Sequence, residues 1–375
     1  MRSFLNLITA VLLGSTGAAQ AADLLVFISA FAGGTNGGIH AFTLNPDTGH
    51  LTPVERTGGV ENPFFLAVSR DHKHLYSIHA KSFGSKAPEE VAAYAIEGRT
   101  GRLKLLNRQS TRGSASCYLD LDATGRTVLV ANYTTGNVGS LPVRDDGSLG
   151  EMVSFFQHAG SSVDLPRQKG PNAHSFVVSP DNRFALAADL GIDQILSYRL
   201  DAATAKLTPN QPAFAKAPPG AGPRHLTFHP NGKHVYVINE LKNSVTWFDY
   251  AAETGTLTER QTISTLPDDF KGRSYCADLK ISPDGRFLYG TNRGHDSIAA
   301  YRIGSDGRLT LLGIEPSLGK GPQNLALAVN GRYLLCANMP GKNVVVFRIN
   351  PENGGLKAVG DPVTMPGPSC IMVLH

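Results

Sequence analysis

The sequence predicts an all-β fold, a seven-bladed β-propeller of four-stranded antiparallel blades. Three observations point there. A strand–turn–strand unit recurs along the chain, an aromatic residue or leucine marks its second strand at near-constant intervals, and the two chain ends supply complementary parts of one further unit.

The clearest copies of the unit are SPDNRFALAADL (179–190), HPNGKHVYVINE (229–240), SPDGRFLYGTNR (282–293) and AVNGRYLLCANM (328–339), with SRDHKHLYSIHA (69–80) and DATGRTVLVANY (122–133) more divergent. Asn-Gly and Asp-Gly between apolar runs are strong hairpin signals. A third strand follows each copy, such as NSVTWFDY or DSIAAYRI, and then a Gly-Xaa-Leu turn leads into a fourth. The marker of the second strand falls at Phe27, Tyr76, Leu129, Leu186, Tyr236, Tyr289 and Leu335, in steps of 49, 53, 57, 50, 53 and 46 residues. Each step is the length of one blade. The N-terminal part begins at a second strand, LLVFISAF, while the C-terminal part stops after a lone first strand, PSCIMVL. Together they make one blade, closing the ring and removing the exposed edge that an open ring would leave.

Of 375 residues, 41% are hydrophobic, and 40 glycines and 23 prolines suit a turn-rich β fold. The formal charge of +4 is spread along the chain with no basic run carrying interleaved aromatics, so nucleic acid is not an expected partner. Residues 1–21 read as a signal peptide: Arg2, an apolar stretch from Phe4 to Leu13, and the small-x-small site Ala19-Gln20-Ala21. The propeller is then expected over 22–375, in a periplasmic or secreted protein with no membrane attachment after cleavage. The sequence does not fix the oligomeric state. Cys117, Cys276, Cys336 and Cys370 are too far apart for a C-x-x-C motif. Export permits disulfides, with Cys336–Cys370 the pair to check, but buried free thiols are the expectation.

Repetition gives seven versions of each position. The start of the first strand and the end of the second meet at the channel mouth, and reflection about the turn pairs Arg224 with Glu240. The equivalent pairs are Phe64 with Ala80, Cys117 with Tyr133, His174 with Leu190, Ala277 with Arg293 and Gln323 with Met339; Phe31 is the first-blade member. The ionisable members, His174, Arg224, Glu240 and Arg293, all fall in three consecutive blades. Directly opposed residues have Cβ atoms roughly 4.5–5.5 Å apart, so this reflection brings Arg224 against Glu240. A carboxylate and an imidazole can share general acid and base roles, and two arginines can hold an anion or an oxyanion. The set is a poor metal site, and no cofactor is expected. A plainer reading, a solvated ion pair tying a blade rim, predicts that these groups face water. The Asp-Asp-Gly at 145–147 and Pro-Asp-Gly at 283–285 read as turn chemistry rather than calcium loops.

The segments GAGPRHLTFHPNGKHVYVINEL, AHSFVVSPDNRFALAADLGIDQILSYRL, VANYTTGNVGS and TNRGHDSIAAYRI resemble the seven-bladed propeller lactonase family, which includes the propeller type of 6-phosphogluconolactonase and carboxy-cis,cis-muconate lactonizing enzyme. The resemblance runs from about residue 24 to the C-terminus. It implies a metal-independent lactone hydrolase with a catalytic set of His174 in AHSF, Arg224 in GPRH, Glu240 in INEL and Arg293 in NRGH; Arg224 and Arg293, with Gln323 at the equivalent position of the next blade, are expected to bind the substrate. The first strand, FISAFAGGTNGG, departs from the family's usual Gly-Thr-Tyr-Thr stretch. The implied partner is a small-molecule lactone. Export argues against a cytosolic phosphosugar and for an unphosphorylated sugar lactone or another anionic lactone. Two alternatives stay open at this level: a muconate-type lactonizing or isomerising enzyme, and a non-catalytic exported binding propeller.

Overall fold

The computed structural model describes residues 22–85 and 87–374; the predicted signal peptide lies outside them. Among the described residues, twenty-eight strands form seven four-stranded antiparallel sheets, with a single short 3-10 turn at Gly34–Asn36. Six sheets take their strands, here A to D from channel to rim, in chain order. The other joins Pro368–Leu374 as strand A to Leu24–Ala30, Gly38–Leu44 and Leu51–Thr57. The closing pair runs from Leu25↔Leu374 to Ala30↔Pro368. Among the described residues, no helix is long and apolar enough to cross a membrane.

Strand B is sandwiched within its own sheet and between neighbouring blades, which is why it reads as an unbroken apolar run. All seven marker residues, from Phe27 to Leu335, are fully buried. The tyrosines among them also lock blade to blade. The hydroxyl of Tyr236 donates to the Gly307 carbonyl at 2.6 Å, that of Tyr76 to Gly147 at 3.0 Å and that of Tyr289 to Gly354 at 2.9 Å. Gly307 has φ +95°, and a Cβ there would meet the Trp247 ring at 2.6 Å. Only glycine both turns this corner and admits the neighbouring aromatic.

The recurrent Ser-x-Asp motif has a structural job. Ser282 Oγ donates to Asp284 Oδ1 while accepting from the Phe287 amide, and Ser179 does the same with Asp181 and Phe184. In Asp-Asp-Gly, Asp146 accepts from the Ser148 amide. These acids organise turns. All four cysteines are buried and free, Cys336 and Cys370 included.

One feature corrects the simple reflection. In six blades strand A carries a register shift at its inner end, and the unpaired residue is Ser369, Cys117, His174, Arg224 or Gln323, with Ala277 and Asp278 sharing the shift in blade six. Arg224 is therefore not directly opposite Glu240. Pro223 pairs with Asn239, and the Glu240 amide donates to Gly222 at 2.7 Å. Likewise Arg293 faces Tyr275, not Ala277. The extra residue of a bulge bends the strand and re-aims its side chain, here toward the channel mouth.

Candidate active site

The bulges in strand A of blades four (Ala173–Val178) and five (Pro223–Phe228) present His174 and Arg224; the strand B ends of blades five and six present Glu240 and Arg293. Side chains close the gap that the register leaves. Glu240 Oε2 accepts from Arg224 Nε at 3.0 Å and from Arg293 Nη2 at 2.8 Å, and His174 Nε2 lies 3.9 Å away. Gln323 is buried, and its Oε1 accepts from Arg293 Nη1 at 3.4 Å, bracing that arginine. The four predicted ionisable residues and Gln323 thus form one cluster. Glu240, Arg224 and His174 are almost fully buried, so the solvated-rim reading fails.

Sequence reasoning missed a third guanidinium. Arg167 Nη2 donates to Glu240 Oε1 at 2.6 Å and to the Tyr133 hydroxyl at 3.2 Å, and its guanidinium stands over the Tyr275 ring. It lies on the connection between Gln157 and Ala173, outside the repeat. The signal was the 57-residue step, the longest of the six, between Leu129 and Leu186.

A second, deeper group was also missed. Arg224 Nη1 contacts His225 Nε2 at 3.2 Å, and His225 Nδ1 contacts Asp278 Oδ1 at 2.9 Å. Arginine only donates, so Nε2 accepts and Nδ1–H donates to Asp278. Asp278 also accepts from Lys280 at 2.8 Å, Asn324 at 2.7 Å and the Leu325 amide at 2.9 Å. Arg224 Nη1 donates to the Ala277 carbonyl as well. His225 and Asp278 therefore hold Arg224 from behind.

The charges follow from this geometry. Burial would raise the Glu240 pKa, but Arg293, Arg224 and Arg167 outweigh it and pull it to about 2. Burial, then the charges of Arg224, His225 and Arg293, hold His174 well below 6.5, so its imidazole is neutral. Burial lowers Arg224 to about 10, with Arg293 adding, which leaves it charged at neutral pH. Three guanidiniums against one carboxylate leave a surplus of two positive charges. Arg293 Nε is buried with no partner among the described residues. The cluster can therefore accept a proton at His174, bind an anion and stabilise an oxyanion.

Residues 25–373 match the family described as lactonase, seven-bladed β-propeller. The chain is 34% identical to a 6-phosphogluconolactonase of Bacillus subtilis over 350 residues, covering 93% of this chain and 98% of that one. It is 33% identical to a 6-phosphogluconolactonase of Formosa agariphila, covering 93% and 99%. The periplasmic gluconolactonase of Pseudomonas aeruginosa superposes with a TM-score of 0.88 at 29% identity, over 94% of this chain and 99% of that one.

Proposed function

The chain belongs to the seven-bladed β-propeller lactonase family, hydrolases of the 6-phosphogluconolactonase type, and from that premise we propose that it opens its lactone at the His174–Glu240 cluster. Water attacks the lactone carbonyl as His174 Nε2 takes its proton. The tetrahedral oxyanion forms against the guanidinium of Arg293, the more exposed of the two arginines on Glu240 Oε2. Glu240, already ionised, balances the transient imidazolium 3.9 Å away. The ring C–O bond then breaks, and His174 returns the proton to the departing oxygen to give the hydroxy acid. Glu240 is a poor proton acceptor here, because three guanidiniums already occupy its oxygens.

The observation that carries this reading is a buried neutral imidazole facing a carboxylate that cannot itself act as the base. For the substrate, the targeting pattern of residues 1–21 and the likeness to a periplasmic gluconolactonase support export. An unphosphorylated sugar lactone or another anionic lactone fits that compartment. The test is a hydrolysis screen of phosphorylated and unphosphorylated aldonolactones with purified protein and its His174→Ala variant. Turnover by the wild type that the variant loses supports the reading; an equally active variant overturns it.

A further inference from the structure

We propose that Cys117 is a positioning residue for the reaction: its sulfur accepts the Nδ1–H of His174 and so leaves the Nε2 lone pair facing the site. The proposal rests on the hydrolase reading above and assigns the group that prepares its base.

A neutral imidazole acts as a base through one nitrogen only while the other carries the proton. In the neighbouring His225 that proton is held by a carboxylate, Asp278 Oδ1, 2.9 Å from Nδ1. Among the described residues, no carboxylate stands within hydrogen-bond distance of Nδ1 of His174. Its Nε2 lies toward Glu240, and the side chain within reach of Nδ1 is Cys117, with Sγ at 3.5 Å. Cys117 arrives there as the unpaired residue of the bulge in strand A of blade three (Ser116–Leu121), just as His174 is in blade four. One bulge therefore aims its side chain at the next. Both residues are buried. The imidazole stands edge-to-face with Tyr133 and His225, ring centroids 5.2 and 5.4 Å away. Packing fixes its plane, and the tautomer remains to be set.

The direction of the hydrogen bond follows from what else surrounds the sulfur. The carbonyl oxygens of His174, Ala173 and Ala131 lie 3.4, 3.6 and 3.8 Å from Sγ. Burial, opposed by Arg224, pushes the thiol well above its ordinary pKa, so the sulfur keeps its single proton. A carbonyl can only accept, so it takes that proton and the sulfur turns a lone pair toward Nδ1. The reverse arrangement, with S–H donating to Nδ1, faces three carbonyls with a sulfur that has no proton left for them. It also puts the imidazole proton on Nε2, where a base cannot have it. The hydrogen bond of the ring to its own backbone carbonyl, which Nδ1 alone can reach, favours the same tautomer.

The experiment reads the tautomer directly. Imidazole 15N–1H correlation spectra of 15N-histidine-labelled protein, with His174→Ala to assign the signals, should show His174 protonated at Nδ1 and bare at Nε2. In Cys117→Ala the Nδ1 signal should move and an Nε2–H form should appear. A wild type carrying the proton on Nε2, or a His174 spectrum unchanged in Cys117→Ala, overturns the proposal. Turnover of δ-gluconolactone and 6-phosphogluconolactone gives the second readout. Cys117→Ala should lower kcat by about 3- to 10-fold, the worth of one ordinary hydrogen bond, and leave KM unchanged. Cys117→Ser should recover most of the loss, because a hydroxyl also donates to a carbonyl while accepting from Nδ1. Equal losses in the two variants, tracking a fall in melting temperature, mark a residue that only packs and overturn the proposal. The spectra need no substrate: the expected tautomer in a protein that opens neither lactone overturns the hydrolase reading alone.

Discussion

The two arcs of the channel mouth are built on one backbone and filled with opposite chemistry. Blades four to six set His174, Arg224, Glu240 and Arg293 there. Blades seven, one and two set Met339, Phe31 and Phe64, and Phe83 joins them with ring centroids 4.9–5.2 Å apart. A cavity of about 650 Å³ opens between Phe31, Met339, Met365 and Pro366. The bulge is common to both arcs, at Ser369 and Gln323 as at His174 and Arg224. It therefore does not depend on a charged side chain, and uncharged Ser369 and Gln323 occupy it as well. The charged arc is the costly variant, because a guanidinium as buried as Arg224 is tolerated only beside a matching carboxylate. On the proposed reading, its charges answer to chemistry rather than to the fold.

The charged arc is most sensitive at the proposed proton carrier. His174→Ala should lower kcat by about 10²–10⁴-fold with little change in melting temperature, read by lactone turnover and thermal unfolding. Next comes Glu240→Gln, which strands Arg224 and should cost about 3–5 kcal/mol of stability, measured by urea unfolding. Glu240→Leu combined with Arg224→Met should regain most of that stability and none of the activity. That outcome would separate the arc's chemistry from its folding; a double variant no more stable than Glu240→Gln would refute the separation.

In the apolar arc, Phe64→Ala should cost about 3 kcal/mol of stability, read by urea unfolding, while leaving lactone turnover by the folded protein intact. The smallest effect is in pH dependence. Burial and Arg224 lower His225 to about 4, and His174 is lowered in the same direction. Both are neutral when folded but take up protons on unfolding below about pH 6.5, so stability is complete above that pH and falls as the pH drops through it. Glu240, held at about 2, adds a further loss below about pH 4.5. Each histidine contributes a slope of about 1.4 kcal/mol per pH unit. His225→Gln should remove one such share from urea midpoints measured between pH 6 and pH 5; an unchanged slope would show that His225 does not titrate on unfolding.

The ring was legible in the sequence because blade repetition is a packing requirement written seven times. Tyr76, Tyr236 and Tyr289 recur because each must fill strand B and reach the next blade's turn. The four charged residues were legible as exceptions to that repetition. The bulge was not, because one inserted residue shifts pairing without disturbing apolar spacing; the reflection named residues that the structure brings together, but in the wrong register. Arg167 escaped for another reason, since a connection outside the repeat has no sibling positions to stand out against. His225 and Asp278 were within reach. One residue further along strand A the blades read Phe65, Tyr118, Ser175, His225, Asp278, Asn324 and Cys370, and the same comparison singles out a polar run of four from Ser175 to Asn324.

The strand that closes the ring also sets a timetable. Ser29 and Ser369 share a hydrogen bond across 340 residues of sequence, so the first strand to be synthesised waits for the last. Contacts that distant form late, since the entropy of closing the loop is lost before the pairing rewards it. Until then the molecule is a thread with an unpaired edge at each end; afterwards it is a hoop with neither end free. A thread passes through a narrow membrane pore and a hoop does not. For export as proposed here, passage has to come before closure.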